Sequence, residues 1–501
     1  MEVSYREPVR VFESFREHSY SFFLDGGMDP ERLGRYSLLG CDPFLVFRCK
    51  GGEVAVFEGG SWREKKGDPF QILRELMKRY RAAGDPRIPI AAGAFGYFAY
   101  DLGWQVETLP LVAVDDLELP DCYLGFYDRL VIYDNYQSKM FLTSTGLPEQ
   151  GERASIRARQ RLDEMVDMVY NGINGPILEA NPLGDEPDNG VVREQSRSCL
   201  SPNYNNRLSN KGIVREQPKI CGHFTYDSYC AAVQRVKDYI SAGDILQANL
   251  TQRFSCRFQE NPWQLYLRLR EINPAPFAAY LHYPELDIAS ASPERFIKVN
   301  DRYVETRPIK GTRRRGRDPL EDMQLRTELL QSEKDHVELA MITELERREL
   351  ERVCSPGSVE VPELFCLEEY PTVFHLVSTV RGQLAPDKDI IDLLLTTFPG
   401  GSITGTPKIR AMEIIEELEP VKRGIYTGSI GYLGFDGNVD LNIVIRTFII
   451  KAETAYFQVG GGITDNSEPD AEYWETITKA RALLNALGCD GEVKVCQVSP
   501  G

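Results

Sequence analysis

The spacing of apolar and polar residues divides the chain into three stretches. To about Tyr170, short runs such as Phe44–Arg48 and Arg129–Tyr133 read as strands, while Pro69–Ala82 carries apolar residues at helical spacing. From Asn171 to Pro218 the periodicity stops. Asn, Pro, Gly, Ser and Arg replace large apolar residues, and GVVREQ from Gly190 recurs as GIVREQ from Gly212. This composition predicts a linker or disordered insertion between a region at 1–170 and a second at 219–490.

In the second region Tyr226–Ala242 is amphipathic and ends at Gly243, as a helix C-terminus does. Pro319–Val353 reads as one long helix, with Leu325, Leu329, Leu330, Val337, Met341 and Leu345 near helical spacing. Tyr426–Phe435 and Val439–Ile450 flank Asp436-Gly437, a hairpin signal. Ala455–Val459 runs into Gly460, Gly461 and Gly462, and a final helix starts at Ser467, where Ser467 and Asp470 have capping-box spacing, and continues through Leu487. Strands in runs with helices between them predict an α+β fold rather than a doubly wound parallel sheet.

Composition narrows the function. A chain of 501 residues with net charge -17 is a poor partner for nucleic acid or an anionic membrane surface, although a small anionic substrate still suits a locally basic site. No apolar run approaches the ~18 residues of a membrane span, and the N-terminus lacks the pattern of a secretory signal, so a cytoplasmic location is expected. The eleven cysteines include no CxxC pair, which argues against a zinc site or disulfide framework.

Several segments, in order, then carry a resemblance: GDILQANLTQRF, SPERF, RPIKGTRRRG, PTVFHLVSTVRGQL, FPGGSITGTPKIRAMEIIEELEP, DLNIVIRT and GGGITDNSEPDAEYWETITKA. They resemble the chorismate-utilising enzymes, almost continuously from Tyr226 to Leu487. GRYSLLGCDPFLVF and GAFGYFAYDLG are similar to the N-terminal portion of the large subunits of anthranilate synthase and aminodeoxychorismate synthase. The resemblance implies two packed, mostly antiparallel sheets with outer helices, built from both halves of the chain, around a Mg2+-dependent site for chorismate.

Residue by residue, the resemblance makes Lys310 the nucleophile. Alanine at this place goes with anthranilate synthase, and lysine with aminodeoxychorismate synthase, which makes 4-amino-4-deoxychorismate for folate and para-aminobenzoate synthesis. An attacking amine must be neutral, and Arg307, Arg313, Arg314, Arg315 and Arg317 nearby in sequence are expected to lower the lysine pKa. Glu294 matches the general acid for the departing 4-hydroxyl, and His375 the histidine near the reacting ring. Glu338, Glu472 and Glu475 are implied Mg2+ ligands. Tyr426 and Arg446 match contacts to the enolpyruvyl carboxylate, with Gly460, Gly461, Gly462 and Thr404 lining the substrate site. Gln247 stands where members that add water at C2 carry lysine, and glutamine is no base. ELERRELERV follows Glu338 where the family commonly reads DLMRNDIGRV, so Arg348 replaces a small amide. FLDG from Phe23 and NPAPFAAY from Asn273 match the tryptophan pocket of related subunits, without the Glu-Ser pair of feedback-inhibited ones. The chain has no amidotransferase signature, so a partner glutamine amidotransferase is implied as the ammonia source. Anthranilate synthase component I and a catalytically inactive chorismate-binding homologue remain the alternatives.

Overall fold

The computed structural model describes residues 1–172, 218–489 and the strand 495–497. The insertion expected at 171–218 therefore lies almost wholly outside the described residues. Two large sheets, of 13 and 12 strands, account for the architecture, and their pairings are antiparallel except that Ile220–Gly222 runs parallel to Val495–Gln497. Each sheet contains early and late strands. In the first, Phe22–Asp25 pairs with Phe277–Tyr283, with Phe23 opposite Tyr280; in the second, Gly93–Phe98 pairs with Ser429–Gly434.

The sheets face each other across a layer rich in aromatic rings. Phe22 of the first stacks on Phe95 of the second with centroids 4.4 Å apart, and Tyr97, Tyr123, Tyr127 and Tyr283 fill the same layer. Helices close the outer faces. Gly151–Tyr170, Pro262–Ile272, Lys408–Leu418 and Pro469–Ala486 cover the first sheet, and Pro69–Arg79 and Ile390–Thr397 cover the second. Local signals explain where they start: Asp68 accepts from Phe70 N at 2.9 Å ahead of Pro69, and Thr225 and Ser228 form a reciprocal capping box before Tyr226–Ser241.

Three expectations are corrected. The long helix is two, Pro319–Gln331 and Glu333–Glu351, because Ser332 leaves helical geometry to accept from Asp335 N at 3.3 Å and cap the second. The last helix is Pro469–Ala486, and Ser467 does not cap it: its hydroxyl donates to Glu472 Oε1 at 2.7 Å and accepts from Thr464 N. The hairpin at Asp436-Gly437 forms, with Leu433 opposite Val439, but its second run is not one strand. Val439–Asn442 stays in the second sheet and Thr447–Lys451 belongs to the first, the chain crossing between sheets at 443–446. A second crossing lies beside it, between Leu286–Ser292 of the first sheet and Arg295–Asn300 of the second.

Candidate functional site

The two crossings carry Glu294 and Arg446. They are tied together by Ile443 N donating to Glu294 O at 3.0 Å, Ala291 N to Arg446 O at 3.1 Å and Ser292 Oγ to Ile443 O at 2.6 Å. Arg446 holds φ +52°, a conformation uncommon for a residue with a side chain. Its guanidinium donates to Asn273 Oδ1 at 3.4 Å and, among the described residues, is in ion-pair contact with no carboxylate. Burial lowers its pKa to about 10, Glu294 opposing the shift. The Glu294 side chain is buried, and burial raises its pKa despite an N–H donated by Ile309 at 3.4 Å. Neither flanking arginine neutralises it: Arg295 pairs with Asp440 and Glu305 at 3.1 Å, and Arg307 with Glu363 at 2.9 Å and Glu368 at 2.5 Å.

Lys310 lies on the strand Ile309–Arg314, and its Nζ donates to Ser402 O at 2.8 Å. Its pKa is lowered by burial, while Glu338 and Glu294 work to raise it. The arginines do not supply the shift expected of them. Arg313 pairs with Glu328 at 2.7 Å, Arg314 with Glu321, and Arg315 with Asp322 at 2.6 Å, so carboxylates of the following helix absorb the basic run. Thr312 and His375 are cross-strand neighbours, with Oγ1 and Nδ1 2.8 Å apart. Burial and then Arg446 lower the His375 pKa to about 3, leaving a neutral imidazole.

The acidic part of the site is assembled around a glycine run inside the strand Thr454–Ile463. Gly460, Gly461 and Gly462 lie opposite Thr251, Leu250 and Asn249, and pairing with Thr447–Lys451 on the other edge ends before them, at Phe448–Phe457. A Cβ on Gly461 would stand 3.3 Å from Glu472 Oε2 and 3.4 Å from Glu475 Oε1; one on Gly462 would stand 2.0 Å from Gln247 Nε2 and 3.6 Å from Glu338 Oε2. The glycines thus leave room for three carboxylates from two helices and for Gln247. Glu338 Oε1 is buried without a hydrogen-bond partner, as is Gln247 Oε1. Burial raises the Glu338 pKa, whereas Lys479, 2.7 Å from Glu475, lowers that of Glu475.

This oxygen-only donor set suits a hard cation that keeps several waters. The carboxylates do not form a closed cage. Among the described residues the trio of ligating side chains whose donor atoms all lie within 4.8 Å is instead His18, Cys41 and Asp42. There Arg129, 3.2 Å from Asp42, already supplies positive charge, and the Cys41 thiol is buried and pushed up in pKa.

Of the other predicted residues, Thr404 lies beside the glycine run, its carbonyl accepting from Asn249 N at 2.7 Å, while the charged neighbours of Tyr426 are Arg423 and Glu419. Tyr426 is buried. Of the stretch Thr404–Thr406, expected to add a polar edge, Thr404 donates its hydroxyl to Gly400 O at 3.0 Å, whereas Thr406 Oγ1 is buried without a partner. Ser402, Thr312, Lys334 and Lys479 were missed, since only packing brings them to the site. In the departing segment after Glu338, Arg348 points to solvent and pairs with Glu344 at 2.6 Å. Glu349 is buried 2.5 Å from Lys408, which also holds Thr397 O and Pro399 O and so braces the loop ending at Ser402. The two segments matched to a tryptophan pocket do meet, beside a cavity of about 460 Å³ lined by Asp25, Arg32, Phe277 and Arg295. The Asp25 carboxylate there is taken by Tyr266, at 3.0 Å, and Arg270.

Residues 32–485 match the family of chorismate binding enzymes, and the chain belongs to that family. It is 38% identical over 491 residues to anthranilate synthase component 1 of Acetivibrio thermocellus, covering 97% of this chain and 94% of that protein. It is also 36% identical over 461 residues to aminodeoxychorismate synthase component 1 of Bacillus subtilis, covering 92% and 91%. The crystal structure of anthranilate synthase component I from Streptococcus pneumoniae superposes with a TM-score of 0.74 at 29% identity, over 90% of this chain and 92% of that one. The fold is therefore the anthranilate synthase component I fold, and the protein is a chorismate-utilising enzyme. Among the described residues no helix is long and apolar enough to cross a membrane.

Proposed function

We propose that this chain is the large subunit of an aminodeoxychorismate synthase, converting chorismate and ammonia to 4-amino-4-deoxychorismate for folate synthesis. Relatives of both names align at similar identity, so the choice rests on one observation: a lysine amine with a burial-lowered pKa beside a carboxyl with a burial-raised one, joined through Ser402. A neutral amine and a protonated acid are the two forms an addition with loss of hydroxide requires.

In this reading Lys310 Nζ bonds to C2 of chorismate, both ring double bonds shift, and the C4–O bond breaks as Glu294 gives its proton to the hydroxyl, which leaves as water. Ammonia then bonds to C4, both double bonds shift back, and the C2–N bond breaks to return the electron pair to Lys310. The proton shed by the added ammonia restores Glu294. Arg446 and Tyr426 hold the enolpyruvyl carboxylate, which is consistent with a buried guanidinium lacking a carboxylate partner. The neutral His375 ring lies against the substrate ring without changing charge. Mg2+ held by Glu338, Glu472 and Glu475 would supply positive charge opposite the ring carboxylate. Gln247 cannot activate water, which disfavours hydroxylation at C2. A separate glutamine amidotransferase supplies the ammonia.

The competing reading is anthranilate synthase, favoured by the name of several relatives. Chromatographic identification of the product from chorismate, Mg2+ and an ammonium salt separates the two. The expected product is 4-amino-4-deoxychorismate, and Lys310→Ala should lower its formation by orders of magnitude. Anthranilate as the wild-type product, or an unchanged rate in Lys310→Ala, would overturn the reading.

A further inference from the structure

Within its own helix Lys334 has the charges of Glu338 and Asp335 in its favour but not its position. It lies in the first turn of Glu333–Glu351, the end at which the helix dipole disfavours a cation, and it precedes Glu338 by four residues, the poorer order for a helical ion pair. Its ammonium nevertheless stands between two carboxylates of different helices, 3.9 Å from Glu338 Oε1 and 3.6 Å from Glu472 Oε1. Both distances exceed a hydrogen bond, and Glu338 Oε1 keeps no hydrogen-bond partner. The contact is therefore a charge held between two acids rather than a fitted polar pair. Its side chain is half exposed and free to swing into solvent, whereas Glu338 and Glu472 are buried.

We infer that Lys334 is a tethered counter-ion that competes with Mg2+ for the acidic site, holding Glu338 and Glu472 together in the metal-free protein and leaving when the ion enters. The inference rests on the metal-site reading above and adds to it that the chain carries its own competitor. Two helices whose buried acids would otherwise repel stay docked without metal, at the expense of metal affinity. A site arranged in this way binds Mg2+ only weakly until a substrate carboxylate adds negative charge and tips the exchange.

Calorimetric titration of Mg2+ alone, without substrate, into the full chain and its Lys334→Met, Lys334→Gln and Glu472→Gln variants tests this. Losing a competing charge near two carboxylates should tighten Mg2+ binding about tenfold in both Lys334 variants, while Glu472→Gln weakens it. The metal-free Lys334 variants should also melt below wild type and recover with Mg2+. Unchanged or weaker Mg2+ binding in the Lys334 variants, alongside weakened binding in Glu472→Gln, overturns the competition and leaves the metal site standing. Binding in Glu472→Gln equal to wild type overturns the metal site itself, and the inference with it.

Discussion

A methyl group placed at Gly461, compared with one at Gly460, tests how the acidic site is built. Neither residue has a positive φ, so alanine is not penalised through the backbone and the outcome depends on what each new Cβ meets. At Gly460 it would lie 2.4 Å from Leu250 O and 2.5 Å from Thr251 Cγ2, within a paired strand that cannot give way without spreading the ladder. Overpacking of this kind costs about 1–3 kcal/mol. At Gly461 it would meet only side-chain ends, Glu472 Oε2 at 3.3 Å, Glu475 Oε1 at 3.4 Å and Lys479 Nζ at 3.5 Å, which can retreat by a few tenths of an ångström. The fold should lose less than about 1 kcal/mol. The carboxylates, however, are displaced from the region where an ion would bind, and Mg2+ demands oxygen at about 2.0–2.1 Å in near-octahedral order. Gly461→Ala should therefore melt near wild type yet need at least about tenfold more Mg2+ for half-maximal amination, while Gly460→Ala melts several degrees lower. Thermal unfolding and a Mg2+ titration of product formation read both. A wild-type Mg2+ requirement in a folded Gly461→Ala would refute convergence of Glu472 and Glu475 on one ion.

Other outcomes follow from the same geometry. Glu346, hydrogen-bonded by Thr306 at 2.9 Å, has a pKa raised by burial from 4.5 to about 8, so the folded state retains a proton that the unfolded state loses between those values. Stability should fall as pH rises through that window, and Glu346→Gln should melt above wild type at pH 8 with the gap closing toward pH 4.5; a pH-independent gap contradicts this. His375 is neutral throughout the working range, so His375→Gln should lower the rate without moving either limb of the pH profile, and a displaced limb would show that the imidazole titrates during turnover. Arg446→Lys keeps the charge but loses the planar fork, and should raise KM for chorismate more than it lowers kcat; an unchanged KM removes Arg446 from substrate binding.

The sequence made the fold and the family legible because both are written in local motifs. It misled where partners are distant. The arginines on either side of Lys310 read as a field acting on that lysine, but Glu363 and Glu368 claim Arg307, while Glu328, Glu321 and Asp322 claim Arg313, Arg314 and Arg315, pairings that the fold decides. The break at Ser332 is hidden by apolar spacing that runs through it, although Ser332 with Asp335 three residues on was a capping signal. Ser467 had a similar signal and used its hydroxyl on Glu472 instead, a competition that spacing does not reveal. The run Val439–Ile450 reads as one strand because its residues suit either sheet, and the turn at Arg446 leaves no mark in its pattern.

The pairing of early with late strands also bears on how the chain is made. When the first 172 residues have been synthesised, Phe22–Asp25 and Gly93–Phe98 each present an edge whose partner lies about 250 to 340 positions further on. These edges are apolar and buried in the finished protein, so the nascent chain carries two sticky borders until Phe277–Tyr283 and then Ser429–Gly434 emerge. A product ending near residue 172 should accumulate in aggregates, and supplying residues 218–501 during its synthesis should bring it back into solution.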